Sequence, residues 1–214
     1  MPSKAYSTFQ KNLNQVNRLI DTYDHELERT PRRGKKSLDH LTRAGLIFLC
    51  SSFEVYVESV TRETGKIITR KISRPKALSA EAKKTISEAV KKEKNELSPI
   101  LFYEDWKKYY NDLIFYETKQ LNTPKVKNIR QLFKKYFGIA ESKIDDESYP
   151  FESLDDIISE RGDVAHNLYS EEYLKKAKLL EYTDTIKDCV LEIDKLLYNE
   201  IPETIKGKPW NNTY

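Results

Sequence analysis

Apolar residues recur every three or four positions along most of the chain, which is the period of amphipathic helices and not of strands. Phe9, Leu13, Val16 and Ile20 form one such stripe and predict a helix from Tyr6 to about Glu28. Thr30-Pro-Arg-Arg-Gly34 breaks it. Ser37 is placed to cap a second helix, which carries Leu41, Gly45, Phe48, Ser52, Val55 and Tyr56 and continues toward Ile72. Its middle, Ala44 to Val60, is the most apolar part of the chain, so it is expected at the centre of a bundle.

Arg74-Pro-Lys76 marks a boundary, and Ser79 caps a lysine-rich helix from Ala80 to about Lys94 with a thin apolar stripe. An aromatic-rich stretch follows, through Trp106, Tyr109, Tyr110, Phe115 and Tyr116. Residues 74–122 read as an insertion packed on the bundle through these rings, which serve either as core or as an exposed stacking platform. Thr123 and Pro124 predict the next helix start, and Gly138 its left-handed stop. Ser153-Leu-Asp-Asp156 has the form of a capping box opening a helix toward Val164. Ser170-Glu-Glu172 is a further start, and Ile186, Val190, Ile193, Leu197 and Ile201 mark a last helix ending before Pro202. Residues 206–214 lack periodicity and are expected to fray. The expectation is a single all-α domain over residues 1–214, a four-helix bundle with a helical insertion between the second and third core helices.

Six glycines and eight prolines in 214 residues are too few for a turn-rich sandwich or barrel. No run reaches the ~18 apolar residues of a membrane span, and the first residues lack the apolar core of a secretory signal. Cys50 and Cys189 lie in apolar helical patterns and read as buried thiols of a cytoplasmic protein. The net charge of +3 hides an asymmetry, since residues 62–94 sum to +7 and residues 141–200 to −10. Such a basic segment is either a solvated helix face or a footprint for a polyanion.

Phosphate-loop, dinucleotide, His-Glu-x-x-His and Cys-x-x-Cys patterns are absent from the sequence, and three scattered histidines make poor material for a metal site, so no cofactor is expected. The segment unlike plain scaffold is Ser159-Glu-Arg-Gly-Asp-Val-Ala-His-Asn167. It places Gly162 inside a helical pattern, at a cost of about 1 kcal/mol relative to alanine. Arg161 and His166 are five residues apart, about 140° around a helix and about 7.5 Å along it. They converge only if the arginine side chain bends back or the helix distorts near Gly162. Asp163 lies three residues before His166, within reach to orient it.

This stretch resembles the Arg-x(4–6)-His signature of the HEPN superfamily, helical domains of prokaryotic toxin and antiviral ribonucleases. Asp-Ile-Ile before the arginine and Ala-His-Asn at the end carry the likeness. The helix from Leu41 to Glu58, with an Arg-Ala entry, an apolar run and then Glu54, is similar to the family's second helix. Ile129 to Gly138, a loop, and Leu154 to His166 look like the family's approach to the motif. The likeness is greatest to the RiboL-PSP-type branch and spans residues 5–72 and 123–201. Position 162 departs from it, being glycine where the family usually has a polar residue. Leu168 stands where another branch carries a tyrosine, so that branch's adenylylation is not implied.

The resemblance implies a metal-independent endoribonuclease, a toxin or antiphage effector with a possible antitoxin or defence partner protein. Histidine serves as acid or base near neutral pH, and arginine's planar fork holds two phosphate oxygens. His166 is then the general acid/base and Arg161 the phosphate clamp, with Asp163, Asn167 and Glu54 auxiliary. One chain offers one such pair, so a homodimer bringing two motifs together is implied. Arg62, Lys66, Arg70, Lys71, Lys83 and Lys84 are candidate RNA contacts. Structural roles stand beside these: Arg161 as an ion-pair partner of Glu160 or Asp156, His166 at a helix C-terminus, Glu54 as a hydrogen-bonding acid, His25 and His40 as surface residues. Two other readings also stand, a catalytically inactive HEPN-like RNA-binding or protein-interaction module, which Gly162 favours, and a helical scaffold of unrelated kind.

Overall fold

A computed structural model of the chain describes residues 2–29, 35–92, 97–121, 124–166 and 174–211. The described residues are helical throughout their regular structure, with no strand. The helices are α1 (Lys4–Arg29), α2 (Asp39–Lys71), α3 (Ala80–Lys92), α4 (Leu97–Lys119), α5 (Val126–Phe137), α6 (Leu154–His166), α7 (Lys176–Glu200) and the single turn α8 (Pro202–Ile205).

As its composition predicts, α2 is the central element. Its most apolar window is long and apolar enough to cross a membrane, but 56% of that window is buried against the other helices. α1 lies antiparallel to it, because the Glu63 carboxylate accepts the Lys4 and Ala5 N–H groups, each at 3.0 Å. These are two of the orphan donors at the start of α1. The buried Asp194 carboxylate holds the same end, accepting from the Ser3 N–H at 3.2 Å, the Ser3 hydroxyl and the Tyr56 hydroxyl. α7 runs alongside α2 in the same direction: Gly45 faces Leu179, and the Tyr56 hydroxyl donates to the Val190 carbonyl at 3.1 Å.

Residues 80–119 supply α3 and α4. α4 packs antiparallel along the second half of α2, with Asn111 donating to Thr69 at 2.9 Å and the Arg62 Nε to Thr118 at 2.8 Å. Trp106, Tyr110 and Ile114 are buried, so these members of the aromatic stretch are core, whereas Phe115 and Tyr116 are exposed. The Tyr110 hydroxyl donates to the Tyr136 carbonyl at 2.6 Å, which joins α4 to α5. α4 bends at Asp105, whose backbone is non-helical and whose carboxylate accepts the Lys108 N–H at 3.0 Å as a cap for the second half.

Several local expectations hold. The Ser79 hydroxyl accepts the Ala82 N–H at 3.1 Å. Gly138 has φ 74°, and its N–H donates to the Lys134 carbonyl at 2.9 Å. Both cysteines are free and buried. Other expectations need correction. α2 begins at Asp39 after a short 3-10 turn, without a side-chain cap, and its entry is held because Asp39 accepts the Leu174 N–H at 2.8 Å. α5 begins at Val126, and its first N–H is capped from α6 by Asp155 at 2.8 Å. Thr123 and Ser170 lie outside the described residues. In the tail expected to fray, residues 206–208 and Asn211 are exposed, but two residues dock. Pro209 is buried, Trp210 lies against the core, and the Lys208 ammonium sits 4.2 Å from the Tyr198 ring centre. Aperiodic residues dock here through one proline and one indole, a signal that helical periodicity does not capture.

α2 meets α4 at Gly65, where an added Cβ would stand 2.5 Å from Ile114 Cδ1 and 3.2 Å from Asn111 Oδ1. Ile114 is fully buried, so a larger side chain forces it to shift within a packed interface. Gly65→Val is expected to destabilise the fold by about 1–3 kcal/mol, read as a lower midpoint in urea denaturation.

Candidate functional site

α6 crosses α2 with Leu154, Ile157 and Ile158 buried, which fixes the rotation of the next turn. Arg161 is half-buried, and its charge acts on both Cys50 and Glu54 of α2. Among the described residues, no acid lies within ion-pairing distance of its guanidinium. The structural alternative that paired it with Glu160 is answered by α7. The Glu160 carboxylate accepts from the Lys178 ammonium at 2.7 Å and from the Tyr182 hydroxyl. The bond to Glu160 holds the Lys178 ammonium well above the usual lysine range, helped by Tyr182. Asp156 is exposed.

The surroundings of Arg161 are electrostatically mixed. Burial pushes the Cys50 thiol up to about 12, against the lowering effect of Arg161, with Glu54 and Glu160 adding to the rise. Burial likewise raises the Glu54 carboxyl above its ordinary 4.5; Arg161 pulls it down and Glu58 pushes it up. Glu54 and Arg161 are thus electrostatic neighbours.

His166 is the last described residue of α6 and is exposed, as is Asp163. α6 is uninterrupted from Leu154 to His166, and Gly162 has no positive φ. Of the two ways the pair could converge within one copy, distortion of the helix is therefore absent, and bending back of the arginine side chain is the one left. An added Cβ at Gly162 meets nothing within 4 Å, so the glycine is not required by packing among the described residues. Asn167 lies outside them. His25 and His40 are exposed, as expected of surface residues. Among the described residues, no group of three His, Cys, Asp or Glu side chains is arranged for a metal ion.

The predicted RNA contacts separate. Arg62, Lys66 and Arg70 line one cleft with Lys4 and Trp210. Lys71 is exposed at the end of α2. Lys83 and Lys84 are exposed on α3, which packs on α5, and Lys83 lines a different, shallow depression with Ile86 and Val90. The sequence pass did not single out Lys4 or Trp210; a tryptophan in an aperiodic tail was the available signal.

The family model described as RiboL-PSP-HEPN matches residues 10–199, a span that runs through α3 and α4. No curated protein and no solved structure matches the chain.

Two consequences are measurable. Gly162→Ala is expected to raise stability by about 0.5–1 kcal/mol, because the helix gains a better former and no clash; thermal unfolding reports it. Glu54 carries a raised folded pKa, so its ionisation costs stability: the cost is absent below the unfolded value, grows as pH rises from that value to the folded one, and is constant above it. Glu54→Gln is therefore expected to gain thermal stability over the unaltered protein as pH is raised from below 4.5 toward neutrality. A gain in the opposite direction would show that the attraction of Arg161 outweighs burial.

Proposed function

The chain belongs to the RiboL-PSP-HEPN family, and from that premise we propose that it is a metal-independent endoribonuclease whose site is completed by a second copy. One observation carries the reading. A half-buried guanidinium lies near Glu54 of α2 with no acid partner among the described residues, about 1.4 turns of helix from an exposed histidine. Leaving a partly desolvated arginine unpaired is costly in a plain scaffold, and it is what a phosphate clamp requires.

In the proposed reaction, a histidine takes the proton of a ribose 2′-hydroxyl, and that oxygen attacks the adjacent phosphorus. The bond from phosphorus to the 5′-oxygen breaks, and a second histidine protonates the departing oxygen. The products are a 2′,3′-cyclic phosphate and a 5′-hydroxyl. Arg161 neutralises the equatorial phosphate oxygens, Asp163 orients His166 and Asn167 assists. One copy offers a single histidine at this motif, so acid and base are drawn from the motifs of two copies. Phe48 and Val55 support such a contact: seven residues apart on one face of α2, they are 49% and 45% exposed and flank Cys50 and Glu54. The proposed setting is a cytoplasmic toxin or antiphage effector, with an antitoxin or defence protein as partner.

A second reading is favoured by Gly162, a small residue with empty surroundings at the centre of the motif. In it the same motif, again shared between two copies, binds RNA or protein without cleavage.

Incubation with RNA in EDTA separates the two. Cleavage leaving cyclic phosphate ends is expected, with His166→Ala and Arg161→Ala each lowering the rate by about 100-fold or more while circular dichroism shows folded protein. Binding without cleavage would favour the second reading.

A further inference from the structure

We propose that the cleft between the start of α1, the basic end of α2 and the C-terminal segment is a nucleotide-binding subsite. It takes one phosphorylated nucleoside, with the phosphate on Lys4, Lys66 and Arg70 and the base against Trp210. The inference goes beyond the nuclease reading, because it stands on this cleft and needs no chemistry at Arg161.

The cavity measures about 660 Å³, within the range of small-molecule sites. Arg62, Lys66 and Arg70 follow one another at intervals of four, so they stand in a row on one face of α2. Lys4 faces them from the start of α1. The acid of the cleft, Glu63, is occupied by the Lys4 and Ala5 N–H groups. Arg62 is occupied as well: it donates to Glu58 at 2.7 Å and to Thr118, and lies 4.8 Å from the Phe115 ring centre. Lys4, Lys66 and Arg70 enter none of the ion pairs among the described residues, so three cations in the concavity lack an acidic partner there.

The opposite wall comes from the tail. Pro209 is buried, Lys208 is anchored on Tyr198, and Trp210 lines the cavity. Unpaired cations and an indole in one concavity match the two halves of a nucleotide, an anion and a flat aromatic base. Lys66 is twelve residues beyond Glu54 on the same helix, about 18 Å along its axis. A strand seated in the cleft can thus extend along α2 toward Arg161.

The probe is a fluorescein-labelled 2′-O-methyl RNA of about ten nucleotides, which lacks the attacking hydroxyl and cannot be cleaved by the proposed chemistry. Anisotropy titrations follow its binding to the full chain. Lys66→Glu with Arg70→Glu is expected to weaken binding at least tenfold and to flatten the log–log salt slope by about 1.4. Trp210→Ala is expected to weaken it about fivefold or more. Lys108→Glu with Lys127→Glu, the same charge change on α4 and α5, is expected to cost far less. Competition by adenosine monophosphate that depends on the same residues identifies a free nucleotide as occupant. Its failure to compete, with the oligonucleotide effects present, identifies a strand. Lys66 and Arg70 are exposed, so their reversal leaves the fold intact. Unchanged affinity and salt slope in that variant overturn the proposal. Absence of RNA cleavage beside the predicted binding pattern counts against the nuclease reading and leaves this one standing.

Discussion

Enclosure of α2 is the constraint from which the other positions follow. Sixteen of its 33 residues are buried, more than a single stripe of an amphipathic helix provides. Such a helix cannot be satisfied by one neighbour. α1, α4, α6 and α7 each cover part of it. Polar contacts pin three of them at a defined height: Glu63 to the start of α1, Thr69 to Asn111 of α4, and, for α7, Asp39 to Leu174 just before it and Tyr56 to the Val190 carbonyl; α6 packs through Leu154, Ile157 and Ile158. The stripe left open carries Phe48 and Val55 and ends at Arg62. Arg161 and the basic cleft are therefore two stations on one rigid rod, the first near Glu54 and the second around Lys66.

That arrangement explains how an arginine stays half-buried without an acid to neutralise it. Glu160, its neighbour in sequence, is drawn away by Lys178 and Tyr182. Glu54 lies close enough for the two charges to act on each other, but it is not within ion-pairing distance of the guanidinium. The guanidinium is left in a partly desolvated setting where an incoming phosphate gains more than it would in water. His166, five residues on along the same helix, is exposed, so one copy carries the arginine and the histidine on different sides of α6.

Local signals in the sequence reached the helices and little beyond them. The repeat of Phe9, Leu13, Val16 and Ile20 marks α1, the apolar density around Phe53 marks α2 as central, and Ser79 and Gly138 mark a start and a stop through their own side chain or φ. What stayed hidden depends on residues distant in the chain. Asp155 caps a helix that begins 29 residues earlier, and Asp39 ties down Leu174. The motif at 159–167 was legible as a departure from scaffold composition. That Arg161 would face Glu54, or that Trp210 would close a cleft with Lys66, follows from packing and from no spacing in the sequence.

The central claim, a site assembled from two copies around Arg161 and His166, is tested most directly by subunit mixing. Unaltered chains are refolded with an equal amount of chains carrying both Arg161→Ala and His166→Ala, and RNA cleavage is measured per unaltered chain. A shared site predicts that this activity falls to about half, since only pairs of unaltered chains remain complete. Activity that stays proportional to the unaltered chain, or no cleavage by that chain at all, would contradict the account.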